Sequence, residues 1–166
     1  MRPQDIVILL KIVSKGSRPW LNKELAEELY ISAGEITYSL NRSRLARLIN
    51  EDKRKVHIQS LLEFIQFGLP YVFPTEPGGP SIGLPTAHSH PLMQKVFKSE
   101  QIYVWPDATG NYSGISIPTL YPGQVMAAKR DENLYAMLAI IDVVRIGRAR
   151  EVNHAIPLLK QIIKNA

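Results

Sequence analysis

Apolar and polar positions alternate most regularly between Asn22 and Asn41. Leu25, Leu29 and Ile31 recur at a spacing that covers one face of a helix, with Ala26 where two helices must approach closely. Ile36 and Leu40 continue that face after a break. Ser32 followed three residues later by Glu35 is the pattern of a capping box. In it the serine hydroxyl accepts from the amide of Glu35, and Glu35 reaches back to the amide of Ser32. The pattern predicts a helix, a tight turn and a second helix beginning at Ala33, with Ile36 at the centre of its buried face. Upstream, the apolar run from Asp5 to Val13 predicts a largely buried first helix. Downstream, Asn50 to Ile58 is a charged turn entering a short β-compatible run, and Gln59 to Phe67 reads as a short helix stopped by Gly68 and Pro70.

The texture changes at Pro74. The stretch from Pro74 to Pro91 holds five prolines and three glycines, which predicts a linker or a functional loop, partly packed through Ile82, Leu84 and Pro85. Gln101–Pro106 and Asn111–Pro118 alternate as strands, and Asp107-Ala-Thr-Gly110 between them is a turn. The expectation is an antiparallel hairpin, extended by Tyr71-Val-Phe73. Asn133 to Ile146 is apolar nearly all round, which predicts a helix buried on more than one side, with Asp142 partnered by Arg145 or Arg148. Gly147 ends or bends it. Arg148 to Ile163 continues as an amphipathic helix in which Pro157 makes a kink or a new turn. These readings sum to an α+β chain with three parts: residues 1–73, a Pro/Gly-rich linker or packed loop at 74–91, and a hairpin with C-terminal helices at 92–166.

The pattern Glu24-Leu-Ala-x-x-Leu-x-Ile-Ser-x-x-x-Ile-x-x-x-Leu40 resembles the helix-turn-helix of bacterial winged-helix regulators, of which the MarR-like repressors are one group. The resemblance covers residues 22–40 well and residues 3–75 loosely. It departs at Tyr30, where the family usually has glycine, and at Ser43, where a leucine often continues the core stripe. It implies an N-terminal winged helix-turn-helix that binds double-stranded DNA. The downstream segments, with Val104-Trp-Pro-Asp, Leu120-Tyr-Pro and Arg145-Ile-Gly-Arg-Ala-Arg-Glu, are similar to bacterial winged-helix proteins of which some look like regulators or antitoxins encoded beside a toxin. That resemblance implies a C-terminal half that contacts protein, either its own twin or a partner.

Stepping 100° per residue from Ile36 puts Ala33, Gly34, Thr37, Tyr38, Asn41 and Arg42 away from the core. Thr37, Tyr38, Asn41 and Arg42 offer groups for base edges, and Arg44 and Arg47 can reach phosphates. Lys53, Arg54 and Lys55 would occupy a wing tip and touch the backbone; the alternative is a solvated turn. Charge agrees: of 20 Lys and Arg against 15 Asp and Glu, residues 1–60 hold 11 and 7, net +4. Glu24, Glu27 and Glu28 on the first motif helix count against tight non-specific binding.

Chemistry of other kinds finds little support. No cysteine occurs, so there is no disulfide or thiolate site, and a reducing cytoplasm is compatible with that usage. His88 and His90 form a His-x-His pair without a third ligand at characteristic spacing, and no nucleophile elbow or phosphate loop frames a catalytic group. No cofactor is implied. Lys11 and Lys15 interrupt the first apolar run, which therefore does not read as a signal peptide. Leu134–Val144 is too short to span a membrane. The reading is a non-enzymatic, cytoplasmic regulator that dimerises through its C-terminal helices. One alternative is a protein-binding module that no longer binds DNA; another is a small-molecule sensor with Phe97, Tyr103, Trp105 and Tyr121 around a pocket. On this reading, replacing Asn41 and Arg42 by alanine removes sequence preference and leaves stability nearly unchanged. Ile36→Ala costs about 2–5 kcal/mol as a core truncation. Melting followed by circular dichroism checks both.

Overall fold

The computed structural model describes residues 1–166. In chain order its elements are α1 (Pro3–Ser14), α2 (Asn22–Leu29), α3 (Ala33–Leu45), α4 (Ile58–Glu63), α5 (Leu69–Val72), β1 (Pro80–Pro85), α6 (Pro91–Gln94), β2 (Tyr103–Pro106), β3 (Tyr112–Ser116), α7 (Gln124–Lys129), α8 (Glu132–Ile146) and α9 (Ala149–Asn165). The fold is mixed α+β. No helix is long and apolar enough to cross a membrane.

Two helices are enclosed by the others. Every residue of α1 from Asp5 to Ser14 is buried, and α8 is buried almost continuously from Met137 to Val144. They pack on each other, and α1 also packs on α3 while α8 packs on α9. One apolar core runs from Ile6 to Leu159 through both helices, so residues 1–73 and 92–166 share an interior. The compositional break at Pro74 is not a break in packing.

The middle of the chain differs from the hairpin expected. The Asp107–Gly110 turn forms, closed by the Gly110 amide on the Asp107 carbonyl at 2.9 Å. Yet β2 and β3 run parallel, because β1 from the Pro/Gly-rich stretch pairs antiparallel with both. Its C-terminal half meets β2 (Leu84 opposite Trp105) and its N-terminal half meets β3 (Ser81 opposite Gly114), and the three strands close on themselves. Gly83 makes this possible: a Cβ there would collide with the Trp105 carbonyl. The stretch expected to be a linker or a packed loop thus supplies the strand that organises the sheet. It continues into a 3-10 turn at Ala87–Ser89 whose residues are all buried.

The helix expected to stop at Gly68 and Pro70 continues to Val72. It does so through a π-helical turn, Phe64–Gly68, in which the Leu69 amide reaches back to the Phe64 carbonyl. The wider turn makes room for a ring that would clash with the preceding carbonyls of a regular helix. Tyr71 and Val72 are consequently helical and add no strand. Helix α9 passes through Pro157 without interruption, while Gly147 ends α8.

Asp142, on α8, takes Arg145 as its partner at 3.0 Å, and also accepts from the Trp105 indole at 2.6 Å and the Thr86 hydroxyl at 2.8 Å. Complete burial pushes its carboxyl above the ordinary carboxylate range, against the pull of those donors. This cluster ties β1's end and β2 to α8. Trp105 and Tyr121 are core residues rather than pocket walls.

A second polar cluster ties α8 to the N-terminal helices. Asp131 caps α8 through the Leu134 amide at 3.0 Å, and accepts from Lys11 Nζ at 2.7 Å and the Ser14 hydroxyl at 2.8 Å. Lys11 also meets Glu28 at 2.9 Å, and Lys15 meets Glu28 at 2.8 Å. Burial pushes the Asp131 carboxyl up, but the bonds from Lys11, Leu134 and Ser14 outweigh it and hold it below its ordinary value. Asp131 therefore adds stability above the unfolded carboxylate pKa of about 3.9, and that stability is lost as pH falls through the lower folded value. Asp131→Asn is expected to melt well below wild type at pH 7, with the gap narrowing toward pH 2.5. A gap of constant size would assign the effect to shape instead of charge.

Candidate nucleic-acid interface

Helices α2 and α3 are joined by Tyr30, Ile31 and Ser32. Tyr30 adopts a left-handed conformation, φ 56° and ψ 41°, so the turn is drawn as a glycine would draw it, at a cost of order 1 kcal/mol or more for a residue with a Cβ. Downstream residues hold it there. The Tyr121 hydroxyl donates to the Leu29 carbonyl at 2.8 Å, and Arg130 lies over the Tyr30 ring at 5.8 Å. Gly123 sits against the turn so closely that a Cβ would lie 2.8 Å from the Leu29 carbonyl oxygen.

Ser32 caps α3, its hydroxyl accepting from the Glu35 amide at 3.2 Å. The other half of the expected box is absent. Glu35 turns toward Arg42, and Gln4 donates to it at 3.1 Å. Arg42 itself is the main correction to the expected reading surface. Its Nε and Nη2 donate to the two oxygens of Asp5 at 2.9 and 2.7 Å, and Asp5 has no exposed surface at all. Hydrogen bonding to Asp5 raises the Arg42 pKa above the ordinary arginine value. The Nε and Nη2 edge of the guanidinium is turned inward and fastens α3 to α1, leaving the side chain 24% exposed. The 100° stepping placed the Cα correctly but could not show that a long side chain folds back.

The outward face that remains is compact. Ala33, Gly34, Thr37 and Tyr38 are exposed, Tyr38 to 65%. Thr37 donates to the Ala33 carbonyl at 3.1 Å and accepts from Asn22 at 3.2 Å; Asn41 is half-buried and accepts from Lys53 Nζ at 2.9 Å. The 50–55 segment is a tight turn carrying a single bridge, Ile49 to Val56. The Asn50 side chain stitches it by accepting from the amides of Arg54 and Lys55 at 2.8 and 2.9 Å. Lys53, at φ 57°, forms its tip. Between this turn and α3 lies a polar cleft of about 170 Å³ bordered by Asn22, Thr37, Asp52, Lys53 and Arg54.

The other expected contacts scatter around that centre. Arg54 stacks on Trp20 at 4.5 Å and donates to its carbonyl at 3.0 Å. Arg44 pairs with Glu51 at 3.0 Å on the open surface. Arg47 is exposed and takes a left-handed backbone beyond the end of α3. Lys55 faces elsewhere, into a groove shared with Val56, Ile163 and Ala166. The glutamates of α2 are less of an obstacle than their number suggests. Glu28 is committed to Lys11 and Lys15, and Glu24 caps the Leu21 amide at 3.2 Å. Sequence reasoning missed Asn22 and Trp20, which steady Thr37 and Arg54. Trp20 and Arg54 lie 34 residues apart, and no local pattern links them.

The histidine pair does not converge. His88 meets Glu151 at 2.9 Å, while His90 accepts from the Leu92 amide at 3.1 Å, and burial pushes the His90 imidazole down to about 4. No group of three or more His, Cys, Asp or Glu side chains is placed to hold a metal ion. No exposed large apolar side chain lies beyond Met126, whereas Phe67, Tyr71 and Val72 are exposed on and beside the π-helical turn. Comparison with protein-family models, curated proteins and solved structures found no match to the chain.

Arg42→Ala leaves a carboxylate buried without its partner, and breaking a buried pair in this way costs about 3–5 kcal/mol. The variant is expected to melt far below wild type, in contrast to Asn41→Ala, which should melt within a few degrees of it. Equal melting of Arg42→Ala and wild type would contradict the inward placement of the guanidinium.

Proposed function

We propose that this chain binds double-stranded DNA with sequence preference through the outward face of α3, as a transcriptional regulator of the winged helix-turn-helix kind. One observation carries the reading: α3 is clamped on its inner side by Asp5 and Arg42, while its other side presents small residues at a capped N-terminus, then Thr37, Tyr38 and Asn41, beside a turn tipped by Lys53. A helix that enters a groove needs such a rigid mount and a small leading end, and hydroxyl and amide groups at that end read base edges. Lys53 and Arg54 supply backbone contacts that position without reading sequence. Lys53 holds Asn41 at 2.9 Å, so the turn and the helix would act as one surface. Arg42 has no part in base contact; its role is to orient the helix.

Contact with a protein partner is the second reading. What favours it is the exposed pair Phe67 and Tyr71, four residues apart on one helical side, with Val72 adjacent. This surface belongs to neither α3 nor the 50–55 turn, so the two readings are compatible.

Selection from a randomised duplex library at low and moderate salt, followed by sequencing, tests the proposal. The expected result is an enriched motif that survives moderate salt and is lost in a Thr37→Ala, Tyr38→Ala variant of unchanged stability. Lys53→Ala should weaken all sequences alike and lower the salt slope by about one. Retention without enrichment, equal in the α3 variant, would overturn the reading.

A further inference from the structure

Two clefts of similar size open on the surface, and they differ in how their charges are satisfied. The cleft between α1, α2 and the start of α8, about 530 Å³, is lined only by polar side chains; its four cations, Lys11, Lys15, Arg18 and Arg130, face three acids, Glu28, Asp131 and Glu132, and Lys11 and Lys15 are paired directly with Glu28 and Asp131. The other, about 540 Å³, lies between the segment after α6 and the first turn of α9, and its charges are not balanced. Lys98, Arg148 and Arg150 line it, and none of them has an acidic side chain within ion-pair distance. Its one carboxylate, Glu151, is already used: one oxygen accepts the Arg148 amide at 2.6 Å and the other meets His88 at 2.9 Å. Three cations and one acid leave the lining at +2 with histidine neutral.

The lining also holds two apolar side chains, on the segment that carries Lys98. Val96 is exposed there, and Phe97 is half-buried, held edge-on by His88 at 5.3 Å and His154 at 6.2 Å. The first turn of the 17-residue α9 adds its own partial positive charge beside Arg148 and Arg150. Three unpaired cations and two apolar side chains lining one cleft, in a volume typical of small-molecule sites, suit a ligand with an oxyanion at one end and a compact apolar body at the other.

We propose that this cleft binds a small organic anion, its phosphate or carboxylate held by Lys98, Arg148 and Arg150 and its apolar body against Phe97 and Val96. The site is separate from the DNA-reading surface, since none of Thr37, Tyr38, Asn41 or Lys53 lines it. It does not depend on that reading.

Phenyl phosphate is the probe, titrated calorimetrically into the full chain at 0.15 M salt, with inorganic phosphate and phenol as comparisons. Saturable binding is expected, at least about tenfold tighter for phenyl phosphate than for inorganic phosphate, because the ring removes apolar surface from water. The exposed pair Arg148→Ala, Arg150→Ala should weaken binding at least tenfold without changing the melting temperature. Lys160→Ala, Lys164→Ala removes the same charge from α9 outside the cleft and should leave binding unchanged. Absence of saturation at millimolar probe, or equal weakening by both double variants, would overturn the site. So would displacement of the probe by non-specific duplex DNA, which would reassign the cleft to the phosphate backbone.

Discussion

The buried ion pair between Asp5 and Arg42 is the interaction on which the presentation of α3 depends. A carboxylate with no solvent exposure is costly to hold unless it is paired and hydrogen-bonded, and Arg42 supplies both oxygens with a donor in the planar fork that suits a carboxylate. The geometry leaves little freedom in the angle or register of α3 on α1. Near the other end of α1, Lys11 makes the corresponding link to α8 through Asp131. A helix enclosed in apolar side chains along its length is thus joined by charge to α3 at one end and to the C-terminal half at the other.

That arrangement explains why the chain does not divide where its composition does. Tyr121, Gly123 and Arg130 all bear on the turn between α2 and α3, and hold Tyr30 in a conformation that glycine would adopt freely. A self-contained N-terminal module would need an easier residue at that turn. Here the downstream region brings the turn into shape.

The elements most legible in the sequence were those set by local periodicity and capping. Helices α1, α2, α3, α8 and α9 follow from apolar spacing, Ser32 and Gly147, and the burial of α8 on all sides follows from its uniform apolarity. The sheet was not legible, because its pairing is decided by a strand from a proline-rich stretch and by Gly83, whose importance appears only when two chains cross. The π-helical turn escaped for a related reason: Pro70 ends a regular helix, and its accommodation needs one widened turn. On α3, helical stepping placed Thr37 and Tyr38 outward, where they are exposed, and Asn41 beside them, where it is half-buried. It did not show that Arg42 folds back, since the direction of a long side chain is set by a buried acid 37 residues away.

Whether α3 meets DNA, as proposed, is tested most directly by backbone amide chemical-shift mapping of the labelled protein titrated with a duplex. Shifts centred on Ala33–Asn41 and on Asn50–Arg54, with the Arg42 Nε–H signal and its Asp5 contact unchanged, are the predicted result. Shifts centred instead on Val96–Lys98 and the start of α9, with α3 silent, would contradict it.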